Sequence, residues 1–321
     1  MEEKTVKENK LLNYFKNNIS KATLFLVLFA MWGILTVLSP YFLTYNNIFN
    51  LVRQTSVIAV VATGMTFVII SGGIDLSVGS IVGASGIIVS MLLLNGVPII
   101  LAIVITLLIT LLLGAVTGMF IYEGNVPPFI ATLGMMSMAR GLALLLSGGQ
   151  ILTGLPRSFI NFAQITFLGI PMLTIVLIIV VAAAFFVLTR TRFGRNVYTI
   201  GSSDEVARLS GINMRVNYYA IYMLNAFLSG VAGIMLTSRL SSGIPTSGNM
   251  YELDAIASVV IGGASLSGAE GSVLGTIIGA LIMSTLRNGG NLLGVDPFWL
   301  RMATGLLIVL AVLFDQVRKK Q

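Results

Sequence analysis

The sequence predicts an all-α integral membrane protein with about ten transmembrane helices, both termini cytoplasmic and a weak internal repeat. Three observations predict it. Of 321 residues, 56% are hydrophobic and only 10% charged, whereas a soluble domain carries about 25% charged residues. The mean hydropathy is +0.96. Ten apolar stretches approach the roughly 20 residues that cross the hydrocarbon core of a bilayer, and the basic residues cluster on one side only if the number of crossings is even.

In chain order the spans are 22–39, 54–71, 76–94, 97–121, 127–147, 171–189, 216–238, 253–266, 271–287 and 298–315. The eighth is short. The third and ninth are rich in glycine, which membrane helices tolerate where backbones pack closely. Segment 1–21, carrying Lys4, Lys7, Lys10, Lys16 and Lys21, is placed inside the cell, and Leu11, Leu12, Phe15 and Ile19 are spaced for a short amphipathic helix on the inner surface. It does not read as a cleaved signal peptide, because the first apolar run begins near Ala22 behind a long polar segment and no A-x-A-like site follows. With ten spans the 190–215 loop (Arg190, Arg192, Arg195, Arg208, Arg215) and the tail 316–321 (Arg318, Lys319, Lys320) share that side, gathering thirteen of nineteen basic residues. One span more or fewer would split them. The transmembrane domain is then 22–315.

The net charge of +7 fits loop orientation and lipid headgroups better than nucleic acid. With no cysteine and no histidine, disulfides, iron–sulfur clusters, thiolate or imidazole zinc sites, histidine-ligated haem and Ser-His-Asp chemistry are excluded. A membrane enzyme would lack its nucleophile or acid/base group. All twelve acidic residues are expected in tails, loops or span ends. A carboxylate at mid-membrane costs about 2.5–3.5 kcal/mol and usually serves an ion or proton relay, so proton coupling lacks its usual groups.

Two stretches echo one another. Gly72-Gly73-Ile74-Asp75-Leu76-Ser77 followed by Gly79-Ser80-Ile81-Val82-Gly83 matches Gly262-Gly263-Ala264-Ser265-Leu266-Ser267 followed by Gly271-Ser272-Val273-Leu274-Gly275. Weak internal symmetry of this kind marks transporter folds; a chance likeness of two Gly- and Ser-rich turns is the alternative. Gly79/Gly83, Gly114/Gly118 and Gly271/Gly275/Gly279 are spaced for close helix packing, a reading compatible with lining a path. Asp75, Ser77, Gly79, Ser265, Ser267 and Gly271 are therefore candidates for a translocation path or gate. Arg140, inside the fifth span, joins them, with snorkelling or bonding to backbone carbonyls as its structural alternative. Asp75 and Asp254 also suit helix N-caps.

The polar loop 190–215 holds a helical stretch from Asp204 to Leu209, with Ser202 or Ser203 to cap it and Gly211 to end it. An exposed helix rimmed with arginine suits docking on a partner protein; attachment to anionic lipid is the alternative.

Six ordered segments resemble the ribose-type monosaccharide permeases of ATP-binding cassette (ABC) importers: 72–80 (GGIDLSVGS), 127–141 (PPFIATLGMMSMARG), 191–201 (TRFGRNVYTIG), 207–213 (ARLSGIN), 251–276 (YELDAIASVVIGGASLSGAEGSVLGT) and 288–295 (NGGNLLGV). The resemblance covers nearly the whole chain from about residue 25. It implies a homodimeric pore, a cytoplasmic ATPase that carries ATP and Mg2+, an extracytoplasmic sugar-binding protein, and inward movement of a monosaccharide by alternating access. Ribose is the default sugar, and the chain itself would hold no cofactor. It further implies that Arg195, Gly201, Asp204, Glu205, Arg208, Leu209 and Gly211 form the ATPase-coupling loop. The family's Glu-Ala-Ala pattern stands here as Asp204-Glu205-Val206, which keeps the acid and loses the small residues. The outer segments Arg239–Asp254 and Asn288–Pro297, with Arg239, Ser241, Glu252 and Asn291, are the candidates for docking the binding protein. No Gly-Lys dipeptide occurs, so the chain has no Walker A loop and a partner must hydrolyse ATP. A stand-alone secondary transporter or facilitator is the alternative.

Overall fold

A computed structural model describes residues 23–319; the expected amphipathic helix within 1–21 and the last two residues of the tail lie outside the described residues. Within them the helices are α1 (Thr23–Leu38), α2 (Tyr45–Ile70), α3 (Val78–Leu94), α4 (Ile99–Tyr122), α5 (Pro128–Ser147), α6 (Arg157–Phe162), α7 (Met172–Arg190), α8 (Arg192–Ser202), α9 (Asp204–Leu209), α10 (Met214–Leu240), α11 (Tyr251–Ile261), α12 (Val273–Leu292) and α13 (Pro297–Lys319). Between α6 and α7 a hairpin pairs β1 (Thr166–Phe167) with β2 (Ile170–Pro171).

Each predicted span overlies a helix, and five helices (α2, α4, α5, α7 and α10) are long and apolar enough to cross a membrane. α2 starts at Tyr45 rather than near residue 54, because Asn46, Asn47 and Asn50 conceal its first turns from a hydropathy reading. The asparagines have a tertiary explanation: Asn47 and Asn288 of α12 exchange amide hydrogen bonds of 3.0 and 2.8 Å. The helices α6 and α8 and the hairpin were not expected. α8 is strongly two-sided, burying Gly194, Val197 and Ile200 while exposing Arg192 and Arg195.

The bundle is built around α2 and α10. Their most apolar stretches are 89% and 67% buried, against 22% for α4 and α7. The outer helices leave Ile100, Leu112, Ile179 and Phe186 exposed, which costs nothing where the solvent is as apolar as the side chain. Contact between the helices runs through missing side chains. A Cβ at Gly114 of α4 would stand 2.6 Å from the Tyr222 carbonyl oxygen of α10, and one at Gly230 of α10 would stand 2.5 Å from Thr110 Oγ1 of α4. One at Gly262 would stand 2.5 Å from the Gly275 carbonyl of α12.

Two non-helical stretches enter this bundle. α2 stops where Gly72 takes a left-handed φ of +80°. There Gly72 N–H bonds to Ile69 O and Gly73 N–H to Val68 O, a Schellman ending. The chain then turns back as 71–77 before α3 begins. At the other end, 241–250 follows α10 back into the bundle: Gly243 lies against Ser90 of α3, and Gly248 lies against Gly79. Those two points are about 16 Å apart along α3. α3 and the short α11 therefore both start well inside the bundle, each after a break.

The glycines at the α4–α10 crossing are expected to be intolerant. Gly114→Leu should destabilise the protein by about 1–3 kcal/mol through overpacking, read as a lower thermal midpoint in detergent. Gly141→Ala, inside α5 where a Cβ meets nothing within 4 Å, should keep the midpoint or raise it slightly, since alanine favours the helix by about 1 kcal/mol over glycine.

Candidate functional site

The first break centres on Asp75, which is 1% exposed. Its Oδ1 accepts from Ser77 N–H at 2.8 Å and from Ser77 Oγ at 2.6 Å, and its Oδ2 accepts from Asn225 Nδ2 of α10 at 2.8 Å. Asn225 lies about 16 Å along an α10 of about 40 Å, so this carboxylate is buried near the helix midpoint. The expectation that a loop position keeps every acidic residue out of the bundle's interior is corrected here. Asp75 is in a loop by sequence, but the loop folds back into the bundle. The N-cap expectations for Asp75 and Asp254 are also corrected: Ser77 is the residue before α3 and Met250 the one before α11, while Asp75 bonds Ser77 and Asp254 lies within the first turn of α11. Asp254 is also fully buried, and Arg287 of α12 pairs with it at 2.7 Å.

Arg140 ties the second break to the first turn of α3. From α5 its Nη1 donates to Pro245 O at 2.6 Å and Ser247 O at 2.9 Å, and its Nη2 donates to Gly79 O at 3.3 Å. Of its two readings, bonding to backbone carbonyls is the one the structure displays. Planar guanidinium suits the task, since one side chain serves carbonyls on two segments at fixed angles. Glu252, a docking candidate, is partly buried, and its carboxylate lies beside Gly79.

The remaining candidates lie elsewhere. Ser265 and Ser267 sit in the turn 262–272, where Ser265 Oγ accepts from Ser267 N–H at 3.2 Å. This repeats the i to i+2 bond of Asp75 and Ser77. The two Gly-Gly pairs differ by one residue in use: Gly72 is the left-handed residue in the first, Gly263 in the second. The path candidates therefore form two groups, one around Asp75 and Arg140 and one beside the loop that carries α8 and α9.

That loop meets the second group through Gly201. A Cβ on Gly201 would overlap the Ile70 carbonyl oxygen and stand 2.7 Å from Ala269 N. Ala269 N–H donates to Ile70 O at 2.8 Å, and Tyr198 Oη donates to Gly271 O at 2.8 Å. Burial pushes the Tyr198 hydroxyl pKa up, which keeps it a donor. Beyond Gly201, α9 matches its expected bounds, with Ser203 Oγ accepting from Val206 N–H at 3.3 Å and Gly211 following at a φ of +74°. Ala207 packs inward with Ile200 and Met214. Arg195, Asp204, Glu205, Arg208 and Leu209 are exposed, Leu209 by 82%. Tyr218 donates to Asp204, and Arg215 pairs with Glu123 at 2.6 Å.

At the opposite end of α10, Arg239 is partly buried and Ser241 takes a left-handed φ of 57°. A cavity of about 200 Å³ brings the two predicted outer segments together, with Asn249 and Met250 from one, Asn291 and Pro297 from the other, and Arg287 and Arg301 beside them. Asn225, Tyr198 and Arg287 were missed. Asn225, an amide in the middle of a mostly apolar span, carried the one readable signal.

Residues 47–312 match the family described as branched-chain amino acid transport system / permease component. The chain is 45% identical to the ribose import permease protein of Bacillus subtilis over 96% of this chain and 95% of that one. It is 37% identical to the D-allose transport system permease protein of Escherichia coli, covering 92% and 91%. With the xylose transport system permease protein of Escherichia coli the identity is 33%, covering 87% of each. No solved structure matches.

Two substitutions test the geometry. Asp75→Leu strands the Ser77 and Asn225 donors, and should cost at least about 2 kcal/mol in denaturant unfolding of the purified protein; Asp75→Asn, which keeps an acceptor, should cost less. Arg140→Lys keeps the charge but cannot serve the second break and α3 at once in the planar geometry of a guanidinium, so it should lower the unfolding midpoint nearly as much as Arg140→Leu.

Proposed function

Because this chain belongs to the family of branched-chain amino acid transport system / permease components, we propose that it is the translocating subunit of an ABC importer that carries a monosaccharide inward, with ribose the first candidate. The observation that carries this reading is the 45% identity to a ribose import permease across 96% of the chain. The allose and xylose relatives favour a sugar over an amino acid as substrate. The protein is an integral, multi-pass protein of the plasma membrane.

In this reading two copies enclose the path, and a separate ATPase binds ATP and Mg2+ on the cytoplasmic side. The exposed side of α8 and α9 is the docking surface for that ATPase: Asp204, Glu205 and Arg208 supply charge, and Val206 and Leu209 supply apolar contact. An extracytoplasmic binding protein delivers the sugar at the opposite end, near the cavity shared by Asn249 and Asn291. ATP binding and hydrolysis move the docked loop, and the breaks held by Asp75 and Arg140 shift between outward- and inward-facing arrangements. A sugar presents hydroxyls and no charge, so a path lined by hydroxyls, amides and backbone groups suffices. The carboxylate and the guanidinium at the breaks are turned to internal partners instead.

The test is purification of the tagged protein from its native membrane in mild detergent, assayed for ATP hydrolysis beside an Asp204→Lys/Glu205→Lys variant. ATPase should accompany the native protein and be lost or at least tenfold reduced in the variant. If no ATPase accompanies the native protein under conditions that hold a known importer together, the reading fails.

A further inference from the structure

Three backbone segments meet at Gly201 with no side chain between them. The first is the end of α2. Its Schellman ending uses the carbonyls of Val68 and Ile69 and leaves that of Ile70 to find a donor outside the helix. The second is the turn after α11, which supplies that donor from Ala269. The third is the last turn of α8, whose Gly201 Cα lies over the same bond, 4.0 Å from where a Gly72 Cβ would be. Gly268 is as close from below, since a Cβ there would stand 2.5 Å from Gly201 O. Two side chains of α8 extend the contact. Phe193 stacks on Phe67 of α2 with ring centroids 6.1 Å apart, and Tyr198 Oη holds Gly271 O.

Resting on the importer reading above, we propose that Gly201 and Tyr198 are positioning residues that transmit movement of the cytoplasmic loop to both glycine-rich turns at once. The argument is mechanical. A side chain between two moving parts can absorb displacement by changing rotamer, whereas backbone in contact with backbone cannot. Displacement of α8 therefore has to carry Ile70–Gly72 and Gly268–Gly271 with it. The first of these leads within a few residues to Asp75 and the start of α3, and the second to the start of α12. A side chain at position 201 separates the segments and gives the joint play.

The experiment uses the full complex, the chain with its ATPase and its binding protein, in proteoliposomes. Radiolabelled D-ribose, D-allose and D-xylose are the probes, and both sugar uptake and phosphate release are measured. Tyr198→Phe removes only the bond to Gly271, and Gly201→Ala forces the segments apart. Ser202→Ala is the control, since Ser202 Oγ bonds only to Thr199 O of its own helix. We expect Tyr198→Phe to keep the ATPase bound and hydrolysing within about twofold of the native complex. The sugar imported per ATP should fall by about fivefold in Tyr198→Phe, as for loss of one hydrogen bond, and further in Gly201→Ala. Native uptake per ATP in Tyr198→Phe overturns the proposal. So does loss of ATPase binding in Tyr198→Phe, which would make α8 a seat for assembly rather than a transmitter. Absence of ATP-dependent uptake by the native complex with all three sugars, or uptake without ATP, counts against the importer reading itself and takes this inference with it.

Discussion

Every backbone N–H and C=O in an apolar interior needs a partner, and this protein places two stretches of non-helical backbone inside its bundle. The rest of the architecture follows from how those groups are satisfied. Asp75 accepts from the N–H that opens α3 and from an amide on α10. Arg140 donates to two carbonyls of the second broken segment and to one in the first turn of α3. Irregular backbone at such depth is tolerated only where protein surrounds it or where it lines a cavity. Both conditions call for charged side chains whose partners lie within the protein.

This accounts for an otherwise costly distribution of charge. A carboxylate and a guanidinium halfway along helices of membrane length look like liabilities, yet both are engaged by hydrogen-bonding partners inside the protein. They give the two breaks a defined position instead of a flexible one. Glycine does the complementary work between the helices: at Gly114, Gly230 and Gly262 the absence of a side chain lets backbones touch. The bundle is therefore stiff where its backbones meet and polar where its helices are interrupted, a combination suited to two discrete arrangements rather than a continuum.

Much of this was legible in the chain. Apolar runs of the right length located the helices, since burial in lipid demands them whatever the neighbours are. Asp204, Gly211 and a capping serine at 202 or 203 identified α9 through local capping alone, and the structure selects Ser203 as the cap. The glycine spacing at 114 and 118 correctly marked a close crossing. Arg140 was recognised as out of place within a span, although its partners were not. Other features were illegible for a common reason. The start of α2 was hidden by asparagines that pair with α12. α8 was hidden because its apolar positions, Val197 and Ile200, are few and widely spaced. Asp75 read as a loop residue because nothing local reveals that 71–77 folds inward.

Sequence alone determined the class of protein, the places where helices form, the capping of α9 and the family resemblance, because each depends on composition or on residues a few positions apart. Tertiary structure decided the depth of Asp75, the carbonyls that Arg140 serves, the closeness of Glu252 to Gly79, and the meeting of Ile70, Gly201 and Ala269. Each of these joins residues far apart in the chain, and their proximity arises only when helices without side chains at the crossing points pack close enough for backbone to meet backbone.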